Sequence, residues 1–291
     1  MTVFVELAPA KVNLTLRVLG RRHDGYHELQ SLVAFADVGD VVTLAIDRPV
    51  AISMRGPFAA AIDGGNILDR ALALLAAESP QLLLGAVTLE KRLPVAAGLG
   101  GGSADAGALL RAIRRANPQV SRDVQWLDVA RRLGADVPVC FGSTACVMSG
   151  IGENIEPIIG LPKLPAVLVN PQAAVPADKT ARIFRELAAA PLAEPPPAPP
   201  ALSGPFRDPA PLVAYLLSQD NDLVAPARTV VPEIAAVEAA LAQQDGALLV
   251  RLSGAGPTCF AVFDSPERAI AAQARLASSH PRWWIATATL G

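Results

Sequence analysis

The stretch Pro94-Val-Ala-Ala-Gly-Leu-Gly-Gly-Gly-Ser-Ala-Asp-Ala-Gly-Ala-Leu-Leu, residues 94–110, has the composition of an anion-binding loop that runs into a helix. Glycines at 98, 100, 101 and 102 leave backbone N–H groups uncovered, and a helix opening near Ser103 adds unpaired amides and the positive end of its dipole. A nucleoside triphosphate is the natural guest. Ser103 offers a hydroxyl to a phosphate or a bound Mg²⁺, and Ala104, Ala106, Gly107 and Ala108 keep the first turns slim. A Walker A loop is excluded because no lysine follows the glycines, and a dinucleotide fingerprint fails at position 103. The His-Arg-Asp and Asp-Phe-Gly segments that accompany a protein-kinase glycine loop are absent. A plain structural turn is the competing account, and four glycines in five positions ahead of a helix favour phosphate.

Phosphoryl transfer needs a cation near the transferred group, and the loop carries none. Lysine occurs only at 11, 91, 163 and 179. In Lys11-Val-Asn-Leu-Thr-Leu-Arg-Val the period-2 pattern puts Lys11, Asn13, Thr15 and Arg17 on one strand face and Val12, Leu14, Leu16 and Val18 on the other. The polar face is either solvated or part of a site. Asp136, in Gly134-Ala-Asp-Val-Pro, either caps the turn that Pro138 begins or accepts a proton beside a cation. Tyr26 and His27 follow an Asp24-Gly25 turn; they are either packing residues or a nucleobase clamp, one ring stacking and the imidazole reading a base edge. Asn66 suits a helix cap and Lys91 an exposed strand position, while Ser253-Gly-Ala-Gly-Pro-Thr reads as a second close backbone approach or a hairpin.

The loop Pro-x-x-x-Gly-Leu-Gly-Gly-Gly-Ser resembles the ATP loop of the GHMP kinases. Ala8-Pro-Ala-Lys-Val-Asn-Leu-Thr-Leu-Arg-Val, Arg22-His-Asp-Gly-Tyr-His-Glu-Leu-Gln-Ser, Gly134-Ala-Asp-Val-Pro and Arg251-Leu-Ser-Gly-Ala-Gly-Pro-Thr extend the resemblance, in order, from about residue 6 to about residue 263. They are similar to the branch of that family whose substrate carries a diphosphocytidyl group. The resemblance implies an α+β, two-domain GHMP kinase fold, with an N-terminal ribosomal-S5-domain-2-like part and a C-terminal ferredoxin-like α/β sandwich. It implies an enzyme that uses ATP and Mg²⁺ to phosphorylate the 2-hydroxyl of a small molecule, 4-diphosphocytidyl-2-C-methyl-D-erythritol, in the non-mevalonate isoprenoid precursor pathway.

By the same resemblance Lys11 is the catalytic lysine, Asn13 an orienting partner, and Asp136 the group that accepts the hydroxyl proton or positions the hydroxyl. Asn66, Lys91 and the run Pro94, Val95, Ala96, Ala97, Gly98, Leu99, Gly100, Gly101, Gly102, Ser103 and Ala104 fall on the ATP side. Tyr26, His27, Thr180 and Phe184 fall on the cytidyl side. Asp178 and Lys179 depart from the pattern, standing where small residues are usual. Asn221-Asp222-Leu223 matches a further signature to which no role is attached. The rivals are a homoserine- or mevalonate-type kinase, whose substrates have no base for Tyr26 and His27, and a silent nucleotide-binding regulator, which would not need Asp136.

These residues require elements to hold them. Strand-like alternation covers 2–60, broken at Asp24-Gly25, Gly39-Asp40 and Arg55-Gly-Pro; a helix follows Asn66 to about Ala77; a strand at 86–93 leads into the loop; helices are expected at 103–116 and 123–133, and a strand at 144–149. Strand 165–169, helices 178–189, 211–217 and 232–243, strands 247–252 and 258–263, helix 266–278 and strand 283–289 then read as a ferredoxin-like sandwich. With 291 residues two domains are expected, at 1–160 and 161–291, the second with a proline-rich surface insertion at 191–211. A net charge of −2 provides no general basic field for nucleic acid or a membrane surface. No apolar run approaches the roughly eighteen residues of a span, and three scattered cysteines make neither a disulfide framework nor a zinc site. The expectation is a cytoplasmic protein, monomeric or weakly dimeric, with no nucleic-acid or membrane partner.

Overall fold

The computed structural model describes residues 2–62, 65–193, 206 and 208–291. Its elements in chain order are β1 (Val3–Asn13), β2 (Arg17–Arg21), β3 (His27–Ala45), β4 (Ala51–Arg55), α1 (Ile67–Glu78), β5 (Ala86–Glu90), α2 (Gly101–Ala116), α3 (Trp126–Leu133), α4 (Val137–Gly142) and β6 (Cys146–Gly150). There follow β7 (Asn154–Pro157), β8 (Leu164–Asn170), α5 (Lys179–Leu187), α6 (Pro209–Leu217), α7 (Val224–Val230), α8 (Glu233–Ala242), β9 (Ala247–Leu252), β10 (Cys259–Phe263), α9 (Pro266–Ser279) and β11 (Trp284–Leu290). Most of the proline-rich segment expected at 191–211 lies outside the described residues.

The chain forms two compact units that interleave along the sequence. One comprises Met1–Lys11, Gly39–Val95 and Gly100–Ser143, the other Val12–Val38, Ala96–Leu99 and Thr144–Gly291. The expected linear division at 160 differs from this because β1, β3 and the glycine loop each run from one unit into the other.

In the first unit β4 pairs in parallel with β5, and β5 pairs antiparallel with the last part of β3, Val41 opposite Glu90 and Ala45 opposite Ala86. Helix α2 carries small residues where it must lie close to its neighbours: an added Cβ at Gly107 would stand 2.7 Å from the Cys140 carbonyl carbon of α4. Ala104, Ala106, Ala108, Leu109, Leu110 and Ile113 of α2 are wholly buried, so this helix is the axis of the unit's core.

In the second unit β8, β9, β10 and β11 form an antiparallel sheet in the order β11-β8-β10-β9. Numbered from β8 as first, that order is 4-1-3-2, which is the ferredoxin-like arrangement expected from the alternation of elements. Val167, Val169, Ile183, Ile234, Val237, Leu252, Phe263, Ala272 and Leu276 pack its helical side.

Three local readings are corrected. The glycine-loop helix begins at Gly101, two residues before Ser103, because Gly100 adopts φ 63° and serves as its N-cap residue. The strand expected through 11–18 breaks at 14–16: the amides of Leu14 and Thr15 both turn to the Leu32 carbonyl, at 2.8 and 3.4 Å, and that of Leu16 to Asp220. Its polar face is not solvated either, since Lys11, Asn13 and Thr15 are buried and only Arg17 is exposed. The short α4, α7 and β7 had no periodic pattern long enough to announce them.

Candidate active site

Lys11 lies at the end of β1, and Asp136 is the N-cap residue of α4. The aspartate makes no capping hydrogen bond with its side chain. Its Oδ1 instead lies 2.8 Å from Lys11 Nζ, the lysine side chain being 5% exposed and the aspartate 35%. An ion pair with one buried and one accessible member is suited to meeting a ligand at the accessible edge. The backbone of Gly100 rests on the same lysine: an added Cβ there would lie 3.2 Å from Lys11 Cβ and 3.4 Å from its Cε. Thus the N-cap of α2 and the Lys11–Asp136 pair occupy one corner of the first unit.

Within the loop, Gly98 and Gly100 take positive φ, 78° and 63°, and Ala96 does so without being glycine, at 54°. A Cβ at Gly98 would approach Gly256 N to 2.8 Å, whereas at Gly102 nothing lies within 4 Å. Gly98 is therefore fixed by contact inside the protein, whereas Gly102, on the first turn of α2, is exposed with open space around it. Asn13 belongs to the second unit, where its amide Nδ2 donates to Ser31 Oγ at 2.7 Å and its backbone N–H to Ser253 Oγ at 3.2 Å. Ser253 Oγ donates in turn to Gly98 O at 3.0 Å, so the Ser253 turn braces the Ala96–Leu99 limb of the loop.

Lys91 is not the exposed strand residue that its pattern suggests. It is 3% exposed, and Nζ donates to Asp40 Oδ2 at 2.5 Å and to Asp105 Oδ2 at 2.8 Å. Asp40 Oδ1 also accepts from Arg92 N and Leu93 N, at 2.6 and 2.8 Å, which fixes the chain entering the loop. Burial alone would lower the Lys91 pKa, but Asp105 and Asp40 outweigh it and raise it. Burial pushes Asp105 up to about 7 against the pull of Lys91. The triad lies beneath the start of α2, since a Cβ at Gly101 would stand 3.1 Å from Lys91 Nζ. Neither aspartate was picked out from sequence. Gly39-Asp40 reads as a strand break, whereas β3 runs through it and buries Asp40; Asp105 carried a signal in standing among alanines on an apolar helix.

Asn66 caps α1 as its pattern indicated, accepting from Leu68 N at 3.0 Å, and its amide meets Met54 Sδ at 3.3 Å. Tyr26, His27, Thr180 and Phe184 line one cavity of about 920 Å³ in the second unit, together with Arg21, Leu29 and Ile151. His27 stacks on Phe184, ring centroids 4.6 Å apart, and burial followed by the charge of Arg21 lowers its pKa. Tyr26 is 61% exposed. The structure therefore pairs His27 with Phe184 and leaves the tyrosine ring accessible.

Residues 66–149 match the model of the GHMP kinases N terminal domain, and residues 209–282 that of the GHMP kinases C terminal. The 4-diphosphocytidyl-2-C-methyl-D-erythritol kinase of Rhodopseudomonas palustris (strain BisA53) is 45% identical over 306 residues, covering 100% of this chain and 98% of the relative. The crystal structure of a 4-(cytidine 5'-diphospho)-2C-methyl-D-erythritol kinase superposes with TM-score 0.76 at 32% identity, covering 99% of each chain. A homoserine kinase from Cytophaga hutchinsonii shares the fold, with TM-score 0.65 at 17% identity over 99% of this chain and 95% of its own. The chain belongs to the GHMP kinase family and, within it, to the 4-diphosphocytidyl-2-C-methyl-D-erythritol kinases.

Proposed function

We propose that this protein transfers the γ-phosphoryl group of ATP to the 2-hydroxyl of 4-diphosphocytidyl-2-C-methyl-D-erythritol, releasing ADP. The observation that carries the chemistry is the Lys11–Asp136 pair at 2.8 Å, with the N-cap of α2 resting on the lysine stem. Asp136 accepts the hydrogen bond of the substrate hydroxyl and takes its proton as the new P–O bond forms, while Lys11 balances charge on the transferring group. Asn13 orients through its hydrogen bonds to Ser31 and Ser253.

The amides of Gly101–Ser103, which open α2, receive the ATP phosphates, and Asn66 and Lys91 shape that side by fixing the helix and strand around it. The cavity of Tyr26, His27, Thr180 and Phe184 receives the cytosine, the tyrosine stacking and the imidazole reading its edge. This assignment is what separates the substrate from homoserine or mevalonate, which have no ring to stack.

Among the described residues no three His, Cys, Asp or Glu side chains cluster as a metal cage. That suits Mg²⁺, which keeps water and phosphate oxygens as most of its ligands. Ser103, half-buried on the first turn of α2 beside the open Gly102, is the residue that would hold it. When bound, the ion neutralises charge on the phosphates.

No helix among the described residues is long and apolar enough to cross a membrane, and Cys140, Cys146 and Cys259 are buried and form no disulfide, which supports a cytoplasmic setting. The deciding experiment is an ADP-release assay with the cytidyl substrate, mevalonate and homoserine side by side. Turnover confined to the cytidyl substrate is expected; preference for either of the others would overturn the assignment.

A further inference from the structure

Three of the chain's four lysines are accounted for. Lys11 is neutralised by Asp136, Lys91 by Asp40 and Asp105, and Lys163 is exposed. Lys179 is different. It is the first residue of α5 and 4% exposed, and its ammonium donates to Ala96 O at 2.8 Å and to Gly256 O. No carboxylate lies within ion-pair distance of it among the described residues. Neighbouring Asp178 is turned outward to Arg182 and Arg185.

Such a burial is costly: two carbonyl dipoles compensate an ammonium only in part, and desolvation lowers its pKa to about 8, which still leaves it mainly charged at neutral pH. One of those carbonyls belongs to Ala96, a non-glycine residue held at φ 54°. Two local costs thus meet at one limb of the loop, and unlike Lys11 and Lys91 this lysine is held by no aspartate. Costs of this kind persist where a ligand uses them.

We propose that Lys179 adds an un-neutralised cation at the Ala96 limb of the loop: two of its N–H groups hold the Ala96 and Gly256 carbonyls, and the third meets an oxygen of a bound polyphosphate. This rests on the kinase reading. The polyphosphate comes from one of two sources, the ATP chain or the diphosphate of the cytidyl substrate, because α5 also carries Thr180 and Phe184 to the cytidyl cavity.

The test is calorimetric titration of the full-length protein and of its Lys179→Met and Lys179→Gln variants with AMPPNP, AMP, CDP and CMP. Removing a charge-assisted contact should weaken one polyphosphate by roughly ten- to a hundred-fold. Its monophosphate counterpart should change by less than about three-fold, because the Nζ contact is to the outer phosphates. Loss on AMPPNP assigns the contact to ATP; loss on CDP assigns it to the substrate diphosphate. Equal loss on mono- and polyphosphates would reduce Lys179 to a loop brace and overturn the proposal, as would unchanged binding of both. The glutamine variant carries the comparison if the methionine variant does not fold. Failure of the wild type to bind either AMPPNP or CDP is the single outcome that also removes the kinase reading.

Discussion

Lys11 and Lys91 are both buried lysines bound to aspartate in the same unit, and they differ in what surrounds the pair. Lys11 meets Asp136, whose side chain is 35% exposed, whereas Lys91 is enclosed by Asp40 and Asp105 at 0% and 3%. An ion pair with one accessible oxygen has a place for a substrate atom to enter. A triad with no accessible oxygen has none, and its stability comes from mutual neutralisation in a medium where an unpaired charge is costly. The lesson is that burial of a lysine says little about its task until the exposure of its partner is known.

The largest expected effect tests the first half of that contrast. Asp136→Asn should lower kcat by about 10²–10⁴-fold, the range for removing a positioned proton acceptor. Its urea midpoint should fall as well, because Lys11, 5% exposed, then faces a neutral amide in place of a carboxylate, so it is the loss in kcat at temperatures where the variant is folded that tests the role. Steady-state kinetics with both substrates checks this. Near-normal kcat would return Asp136 to a conformational role at the start of α4.

The second half predicts the reverse for Lys91→Met. Leaving two carboxylates buried without their cation should cost about 3–5 kcal/mol, as for other broken buried pairs. Urea unfolding measures it, and whatever folds should keep a kcat close to that of the wild type. A variant as stable as the parent but catalytically dead would show that Lys91 contacts the nucleotide itself, and would collapse the distinction between the two clusters.

The sequence distinguished these lysines only in part. Lys11 and Asp136 take catalytic roles only through the resemblance to the GHMP kinases; from the residues alone the Lys11 strand face is either solvated or part of a site, and Asp136 either a cap or a proton acceptor. What could not be read was the pairing, since 125 positions separate them and nothing local records that β1 and α4 meet. The ferredoxin-like half was legible because its strands and helices are long, periodic and joined in chain order. The interleaving of the units was not, because it depends on β1, β3 and the glycine loop continuing through a boundary that composition does not mark. Tyr26 and His27 were singled out by their rarity, yet the stacking of His27 on Phe184 lies across 157 positions and appears only in three dimensions.

Tyr26 offers a control that touches neither lysine. Removing its accessible ring with Tyr26→Ala should cost about 1–3 kcal/mol of cytidyl-substrate binding, the range for a base stacked on an aromatic side chain. That is roughly a ten- to hundred-fold rise in the substrate KM with the ATP KM unchanged. If both constants rise together, the tyrosine supports the fold and base recognition moves to His27 and Phe184.

The last effect is a matter of pH, and it separates a cluster that works through stability from one that works through rate. Burial raises Asp105 to about 7, Lys91 pulls it down, and Asp40 adds to the rise. Its Oδ1 has no hydrogen-bond partner among the described residues, which adds to the cost of the ionised form. In the unfolded chain an aspartate titrates near 4. Between about pH 4 and 7 the native protein therefore holds a proton that the unfolded chain has released, so this group's contribution to stability falls as pH rises through that window and is constant above it. The slope for one proton is at most about 1.4 kcal/mol per pH unit. Asp105→Asn keeps the shape of the protonated acid and abolishes the titration. Urea stabilities of the two proteins should converge near pH 4 and separate in the variant's favour toward pH 7, while the kcat ratio stays level across the same range. Parallel stability curves would mean that Asp105 is ionised throughout, with Lys91 compensating both carboxylates, and the triad would then be a fixed ion cluster with no proton to exchange.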